Sequence, residues 1–314
     1  MKLLRSAICA AMLAGLALGA AAQNYPTKPV RVIVPFPPGG GTDILARVLG
    51  EKLTTSWKQQ VIVENRPGAA GAIGATTVAK SSADGYTLLM SSTASLTQEN
   101  VSQFAPISLV SAPPYIVVVH PSLPAKSIKE LVAFARSNKG KVAYGSTGPG
   151  AASHLSAELF KSMAGVDMLH VPYKGVGQAV NDLMGGHVQV MFAPSQAVMS
   201  HVQSGRLRAL AVTSSKRSSA APDLPTVAEA GIAGYEAVGW FGLLAPAGTP
   251  QDIVKKISAD VNRVLAMPDV KERLVALGAE PAGNTPEQFA QFIRMDQAKW
   301  AKLIKERGIP LERS

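Results

Sequence analysis

The sequence predicts an α/β protein of two lobes, for three reasons. Short runs rich in Val, Ile and other strand-forming residues alternate along the chain with segments whose apolar residues recur at helical spacing. Apolar residues make up 47% of the 314 residues and charged residues 17%, so the chain can form a sizeable core and is not globally disordered. Clusters of Pro and Gly interrupt the alternation in two places. This alternation predicts parallel sheets covered by helices on both faces.

The individual elements follow from local periodicity. Strands are predicted at Val30–Val34, Gln60–Glu64, Tyr86–Met90, Tyr115–His120, Lys141–Gly145, Met168–Pro172, Val188–Phe192 and Leu207–Val212. Apolar residues at helical spacing predict helices around 44–53, 128–135, 155–163, 253–265 and 289–304.

Two Pro- and Gly-rich stretches mark the predicted boundaries between lobes. The first is Ser111–Pro114. The second is Pro225–Gly242, where Gly and Pro surround a strand-like stretch that ends at Pro246. We therefore predict a discontinuous first lobe, which brackets a continuous second lobe. The predicted divisions are 1–22 for a leader, 23–112 and 228–314 for lobe 1, and 113–227 for lobe 2.

The N-terminus has the pattern of a secretory signal peptide. Lys2 and Arg5 precede the uncharged segment Ser6–Ala22, which ends in three alanines. A membrane anchor is less favoured because the segment is short and rich in Ala and Gly. The only cysteine, Cys9, lies in this leader, so the exported chain has no disulfide framework, zinc ribbon or cysteine-bound iron–sulfur cluster.

The charge pattern bears on which partners the chain has. The formal net charge is +10, but Lys and Arg are scattered with no run longer than two. This argues against nucleic-acid binding and favours a solvated basic surface that attracts anionic solutes. The five histidines show no metal-binding spacing, so no metal and no cofactor are predicted.

The loop Pro35–Asp43 follows the first strand and contains three consecutive glycines. Glycine allows close approach of the backbone to a ligand, and free N–H groups at the start of a helix bind anions. An ordinary Gly-rich turn is the alternative, with Thr42 as the N-cap and Asp43 favouring the helix dipole. Asp43 is expected to be structural because a carboxylate repels an anionic ligand. No Walker sequence follows.

The loop Gly145–His154 joins another strand to a helix. Ser146, Thr147 and Ser153 offer hydroxyl donors beside the helix start. A dinucleotide fingerprint would need glycine in place of Ser153, and a nucleophile elbow would need glycine in place of Tyr144, so neither is favoured.

Three further loops follow predicted strands. Tyr173 in Val171–Gly175 could form a pocket wall, whereas the neighbouring Lys174 is expected to be solvated. Ser91–Thr93 and Ala193–Gln196 are short and polar, and a surface turn is the alternative for Ser91–Thr93. Strand ends rich in Gly, Ser and Thr, without a recurrent base–nucleophile pair, indicate recognition and not catalysis.

An ordered series of motifs resembles one family along essentially the whole exported chain. This family is the tripartite tricarboxylate transporter receptors, the TctC/Bug family of periplasmic solute-binding proteins. The segments that carry the resemblance, besides the leader, are 25–29, 34–43, 63–69, 84–88, 170–175, 207–213, 225–231 and 242–250.

The resemblance implies two α/β lobes of the type II binding-protein kind, with a ligand cleft between them that closes by a hinge. The implied ligand is a small carboxylate, such as a di- or tricarboxylate or an aromatic acid, held by backbone amides, hydroxyls and water. The implied contacts in lobe 1 are Phe36, Gly40, Gly41, Thr42, Asp43, Ser91 and Ser92. Those implied in lobe 2 are Ser146, Thr147, Ala152, Ser153, Ala193 and Pro194.

The chain departs from the family pattern in two places. Many members have Asp where this chain has Ala193, and its loss favours a plain carboxylate over an amino acid. The segment Ser92–Phe104 is shorter than usual, so the resemblance implies room for a larger ligand or a more open mouth.

Taken together, we expect a monomeric periplasmic receptor that delivers a small organic anion to membrane permease subunits of the tripartite tricarboxylate type. Two alternatives stay open. The same cleft would serve the ligand-sensing input of a membrane sensor. An exported serine hydrolase that uses Ser146 and His154 would show turnover, which a receptor does not.

Overall fold

The computed structural model describes residues 25–93 and 95–309, so the predicted signal peptide lies outside the described residues. Contacts divide the chain into two compact units. The first contains the residues up to Val110, Phe241–Val270 and Gly283–Phe292. The second contains Ser111–Trp240, Lys271–Ala282 and the residues from Ile293 onward. Within the described ranges, the helices are either too short or too polar to cross a membrane.

Ten strands and nine α-helices form the described chain. The strands are β1 Val30–Val34, β2 Val61–Asn65, β3 Thr87–Ser92, β4 Phe104–Ser111, β5 Tyr115–Val119, β6 Ala143–Ser146, β7 Leu169–Pro172, β8 Val190–Pro194, β9 Arg208–Val212 and β10 Phe241–Pro246. The helices are α1 Gly41–Trp57, α2 Ala72–Ala79, α3 Ile128–Ser137, α4 Ala152–Ala164, α5 Val176–Met184, α6 Ser195–Gln203, α7 Gln251–Ala266, α8 Pro268–Ala276 and α9 Pro286–Arg307.

Each unit is built on one five-stranded sheet. The first sheet has the order β2-β1-β3-β10-β4, and the second has the order β7-β6-β8-β5-β9. Strand β1 is parallel to β2 and β3, and β6 is parallel to β7 and β8. The predicted α/β class with two lobes is confirmed.

The prediction of parallel sheets is correct for β1–β3 and β6–β8 but not for three other strand pairs. Strand β10 runs antiparallel to β3, and β5 runs antiparallel to both β8 and β9. Both β5 and β10 follow soon after the chain has passed from the other unit. Neither is reached through a helix crossover from a neighbouring strand of its own sheet, so nothing forces it to be parallel.

The core of the second unit shows why its sheet is covered on both faces. Along β5, Val117 and Val119 lie in one apolar cluster, whereas Ile116 and Val118 lie in another. Successive side chains of a strand point to opposite faces, so each face of this sheet packs against its own set of helices. The largest buried side chains on one face include Tyr144 and Phe160.

The C-terminal segment is divided differently from the boundaries that the sequence suggests. Those boundaries assign all of 228–314 to the first lobe, whereas contacts group 228–240, 271–282 and 293–309 with the second unit. Trp300 is buried in the apolar cluster of that unit, and its Nε1 donates to Asp296 Oδ1 at 2.8 Å. Helical periodicity shows that such a face is apolar but does not show what covers it.

Gly242 in β10 offers a test of how tightly the first unit is packed. A Cβ atom there would overlap the ring of the fully buried Phe289. We expect Gly242→Ala to lower the free energy of unfolding by ~1–3 kcal/mol, because the buried ring has to move. Denaturant unfolding followed by circular dichroism measures the change.

Gly177→Ala is the matched control. Position 177 lies within α5, where an added Cβ meets nothing within 4 Å. This variant is expected to be neutral or more stable by up to ~1 kcal/mol, since Ala is the better helix former. Equal stability of Gly242→Ala and the wild type would contradict the packing described here.

Candidate functional site

In each unit the polar loops lie where parallel strands end. The register pairs Val34 with Asn65 and Ile33 with Leu89, which brings the ends of β1, β2 and β3 to one edge of the first sheet. In the second sheet, Ser146 pairs with Pro172 and Gly145 with Met191. Ligands of α/β proteins bind at this edge.

The loop after β1 leads into α1 through its glycines. Gly39 has φ +84°, which favours glycine, and Gly40 is the extended N-cap. A Cβ at Gly41 would lie 3.2 Å from the ring of Phe241, so a larger residue would crowd this turn. The alternative interpretation of this loop makes Thr42 the N-cap, but Thr42 lies in the first turn and is buried, because the helix begins one residue before it.

The start of α1 has free backbone donors. The first bond within the helix runs from Ile44 N to Gly40 O at 3.0 Å. The preceding amides, those of Gly41, Thr42 and Asp43, have no carbonyl to bind within the helix. Such a group of N–H donors at the positive end of a helix binds anions.

Asp43 holds this loop together. Its carboxylate accepts hydrogen bonds from Gly39 N at 2.9 Å, Asn65 Nδ2 at 2.9 Å and Arg47 Nε at 3.0 Å. Burial alone would raise the pKa of the Asp43 carboxyl, but the bonds from Arg47, Gly39 and Asn65 outweigh it and keep the pKa below its ordinary value. Asn65 Nδ2 also donates to Phe36 O at 3.1 Å, so the same contacts fix both ends of the loop.

The end of β3 is organised by a residue that sequence reasoning missed. Ser95 Oγ lies 2.9 Å from Ser91 Oγ and accepts from Ser92 N at 3.2 Å. All three serines are buried. Thr93 Oγ1 is also buried, and no partner for it is found among the described residues. The only signal for Ser95 in the sequence is the Ser- and Thr-rich composition of this turn.

Gly71, just before α2, brings this serine cluster close to the first loop. A Cβ at Gly71 would lie 2.7 Å from Ser95 Cβ and 3.3 Å from the ring of Phe36. Gly71 has φ +95°, a second reason for glycine here. The first unit therefore gathers its predicted site residues, and the structure adds Gly71 and Ser95 to them.

Ser153 stabilises the loop after β6 through contacts with Thr147. Its Oγ accepts from Thr147 N at 3.0 Å and lies 3.2 Å from Thr147 Oγ1. Helix α4 begins at Ala152, and its first internal bond runs from Leu155 N to Ala151 O at 2.9 Å. The amides at the start of α4 are therefore free of helical acceptors, as they are in α1.

Ser146 pairs with a different histidine from the one the hydrolase alternative would use. Its Oγ lies 2.6 Å from His170 Nε2, on the neighbouring strand β7. His154 instead accepts from Gly150 N at 3.0 Å through Nδ1. The two histidine rings stack, with centroids 3.9 Å apart and planes inclined by 8°.

A buried ion network lies behind these rings. Glu158 accepts from Tyr144 Oη at 2.7 Å, Lys161 Nζ at 2.6 Å and Arg307 Nε at 3.1 Å. Burial would raise the pKa of Glu158, but its three donors, Lys161 first, hold the pKa below the ordinary range. Burial, together with the neighbouring His154, lowers the pKa of His170 to about 4, so its ring is neutral near pH 7.

The remaining predicted residues lie along the same edge of the second sheet. Ala193 is fully buried in an apolar cluster, and Pro194 is the N-cap of α6. The Tyr173 ring packs against Gly145, and its hydroxyl donates to Asp182 Oδ2 at 2.7 Å. Among residues 25–93 and 95–309, no cluster of His, Cys, Asp and Glu could hold a metal ion.

Comparison with known proteins identifies similar sequences along nearly the whole chain. Residues 45–309 match the sequence model of the tripartite tricarboxylate transporter family receptor, TctC. Protein BugT of Bordetella pertussis (strain Tohama I) is 40% identical over 310 residues, which cover 95% of this chain and 95% of BugT.

Solved structures are similar in fold as well. R. palustris Rpa4515, solved with adipate, is 36% identical, with a TM-score of 0.72 over 91% of this chain and 99% of that one. MatC from Rhodopseudomonas palustris, solved with bound malate, is 30% identical, with a TM-score of 0.67 over 89% of this chain and 100% of that one. Both similar proteins were solved with a dicarboxylate.

The role of Asp43 in the first loop can be tested by Asp43→Asn. The amide keeps the shape but loses the ion pair, so we expect the free energy of unfolding near pH 7 to fall by ~1–3 kcal/mol. Folding lowers the pKa of Asp43, so this contribution is complete above the ordinary value of 3.8 and is lost as pH falls through the lower folded-state pKa. Denaturant unfolding at several pH values should show the difference from wild type shrinking in acid.

Asp223→Asn is the control, because Asp223 is exposed. This variant should match the wild type at every pH. If the difference between Asp43→Asn and wild type stays constant down to strongly acid pH, the ionised carboxylate is not what stabilises the loop.

Proposed function

The chain belongs to the tripartite tricarboxylate transporter receptor family, TctC, and we propose that it captures a small carboxylate and delivers it to a tripartite tricarboxylate-type membrane permease. Proteins of this family are periplasmic solute-binding receptors and not enzymes. The proposed ligand is a di- or tricarboxylate or an aromatic acid. The proposed location is the periplasm, reached through the signal peptide at 1–22, and the proposed state is a monomer.

One observation carries the proposal for a carboxylate. In each unit, a helix begins at the carboxyl end of a parallel strand, and hydroxyl side chains lie beside its first amides: Thr42 at α1 and Ser153 at α4. Amide and hydroxyl donors at a helix N-terminus favour an anion without needing a positively charged side chain. The dicarboxylates in Rpa4515 and MatC support the same ligand class.

We propose that the ligand contacts are residues at these strand ends. Asp43 is proposed to act by positioning, because its oxygens are already bound by Gly39, Arg47 and Asn65. The proposed contacts are Phe36, Gly40, Gly41, Thr42, Ser91, Ser92, Ser146, Thr147, Ala152, Ser153, Ala193 and Pro194.

The charges near the loops favour a plain carboxylate over an amino acid. A carboxylate is the strongest partner for an ammonium group, and Asp43, the carboxylate of the first loop, is already paired with Arg47. Position 193 is a buried alanine and supplies no carboxylate there.

A thermal-shift screen of the purified protein tests the function directly. The panel contains adipate, malate, a tricarboxylate, acidic amino acids and aromatic acids, and the protein is first unfolded and refolded to remove any ligand carried through purification. A true ligand at about 100 times its dissociation constant adds ~2.7 kcal/mol to the free energy of unfolding. Stabilisation by carboxylates alone supports the proposal. Stabilisation by none of them, or by the amino acids alone, contradicts it.

Thr42→Val tests the contribution of α1. Valine has the shape of threonine but lacks the hydroxyl, so losing one hydrogen bond to a charged ligand should weaken binding about tenfold. Isothermal titration calorimetry with the best carboxylate of the panel measures this change.

Thr55→Val on the same helix is the matched control. Thr55 is exposed, and its hydroxyl donates to Glu51 O at 3.3 Å within the helix. The affinity of Thr55→Val for the same carboxylate should equal that of the wild type. If Thr42→Val binds the carboxylate as tightly as the wild type, the Thr42 hydroxyl does not contact the ligand.

A further inference from the structure

The Ser146 hydroxyl has three hydrogen-bonding neighbours but only one hydrogen to donate. Its Oγ accepts from Gly148 N at 3.1 Å, lies 3.3 Å from Gly148 O, and lies 2.6 Å from His170 Nε2. A serine hydroxyl has one hydrogen and two acceptor positions. Gly148 N occupies one acceptor position, so the hydrogen goes either to His170 or to Gly148 O.

The arrangement that satisfies all three contacts fixes the tautomer of His170. If His170 Nε2 carries the hydrogen, it donates to Ser146, and the Ser146 hydrogen is left for Gly148 O. If Nε2 is bare, it takes the Ser146 hydrogen, and Gly148 O loses this donor. The first arrangement makes three hydrogen bonds and the second makes two, so the geometry favours a hydrogen on Nε2.

The surroundings of His170 keep its ring uncharged. The stacked His154 accepts from Gly150 N through Nδ1, so that nitrogen is bare and His154 is neutral. The Tyr144 ring lies on the same stack, 5.0 Å from His170. The charged groups behind it are Glu158, Lys161 and Arg307, and they are paired with one another.

We propose that His170 is a positioning residue, whose Nε2–H donates to Ser146 Oγ and leaves the Ser146 hydroxyl hydrogen to bind a ligand carboxylate. This inference rests on the proposed function. Ser146 is buried, and the present acceptor of its hydrogen, Gly148 O, is 3.3 Å away. A charged carboxylate accepts a shorter and stronger bond.

The same tautomer separates recognition from hydrolysis. A serine nucleophile needs a bare histidine nitrogen that accepts its proton. With the hydrogen on Nε2, His170 is a donor to Ser146 and cannot act as that base. The pair therefore has the spacing of a nucleophile and its base but the opposite direction of hydrogen bonding.

Nuclear magnetic resonance of the ring nitrogens tests the tautomer without any ligand. The protein is labelled with ¹⁵N-histidine, and His170→Gln identifies the His170 signals by their loss. We expect a hydrogen on Nε2 and a bare Nδ1 near pH 7. A bare Nε2 would overturn the inference, whether or not the protein binds any carboxylate of the panel.

Two variants test the effect on binding, with adipate and the best carboxylate of the panel as probes. His170→Gln keeps an N–H donor, and we expect its affinity to stay within about threefold of the wild type. His170→Phe keeps an aromatic ring on the stack but has no donor, and we expect binding about tenfold weaker, the loss of one hydrogen bond to a charged group. Thermal unfolding of each variant checks that it folds.

His120→Phe is the matched control. His120 Nδ1 lies 2.7 Å from Ser122 Oγ, a second Ser–His pair in the same unit. It follows β5, which runs antiparallel to β8, and so it lies at the opposite edge of the sheet. This variant should bind like the wild type, whereas weakening equal to that of His170→Phe would overturn the inference.

A double variant shows whether His170 acts through Ser146. In the Ser146→Ala background, His170→Phe should cause no further loss of affinity, because the hydroxyl that it orients is gone. A full tenfold loss in that background, or wild-type affinity of the single variant, would overturn the inference and leave the receptor function standing. Failure of every carboxylate to bind the wild type would instead contradict the proposed function.

Discussion

The first amides of a helix have no carbonyl to bind within that helix, and this constraint shapes both units of the protein. Helices α1 and α4 each begin after a short loop at the carboxyl end of a parallel strand. Glycines let the chain turn there, and buried side chains hold the turn: Asp43 in one unit and Ser153 in the other. The fold itself therefore holds these amides in place, so an anion that binds them would not have to order them.

Charged side chains around these loops are used to hold the structure. Asp43 pairs with Arg47, and Glu158 pairs with both Lys161 and Arg307. The Asp43–Arg47 pair is neutral, whereas Glu158 with Lys161 and Arg307 leaves one positive charge, which Asp167, 3.8 Å from Lys161, offsets. Arg47 and Lys161 fix the positions of Asp43 and Glu158. A substitution at Arg47 or Lys161 would therefore disturb the adjacent loop and would not remove a direct ligand contact.

The sequence predicted the strands and helices whose signal lies within the element itself. β1 begins and ends where its β-rich run does, and α3 matches its apolar spacing. The periodicity did not predict α2, α5, α6, α8 or β4. The sequence of α2, AIGATTVA, is small and apolar on all sides, so it has no amphipathic period to detect. Helix α5 buries Ala179, Val180 and Leu183 on one face, so its period was present in the sequence and the prediction missed it.

The Gly-rich loops at the strand ends were predictable from the sequence, but the hydrogen bonds that link them to other elements were not. Ser146 and Thr42 lie in Gly-rich loops, which the sequence alone marks. The pairing of Ser146 with His170 depends on two strands being neighbours, and the order of strands in a sheet is not a local property. The contacts of Ser95 with Ser91 and Ser92 likewise depend on the turn that follows β3.

A crystal structure of the protein with its best carboxylate tests the central claim most directly. We expect carboxylate oxygens within hydrogen-bond distance of the first amides of α1 or of the first amides of α4. A carboxylate held by an exposed cation such as Lys174 or Arg66, with the helix amides left to water, would contradict it.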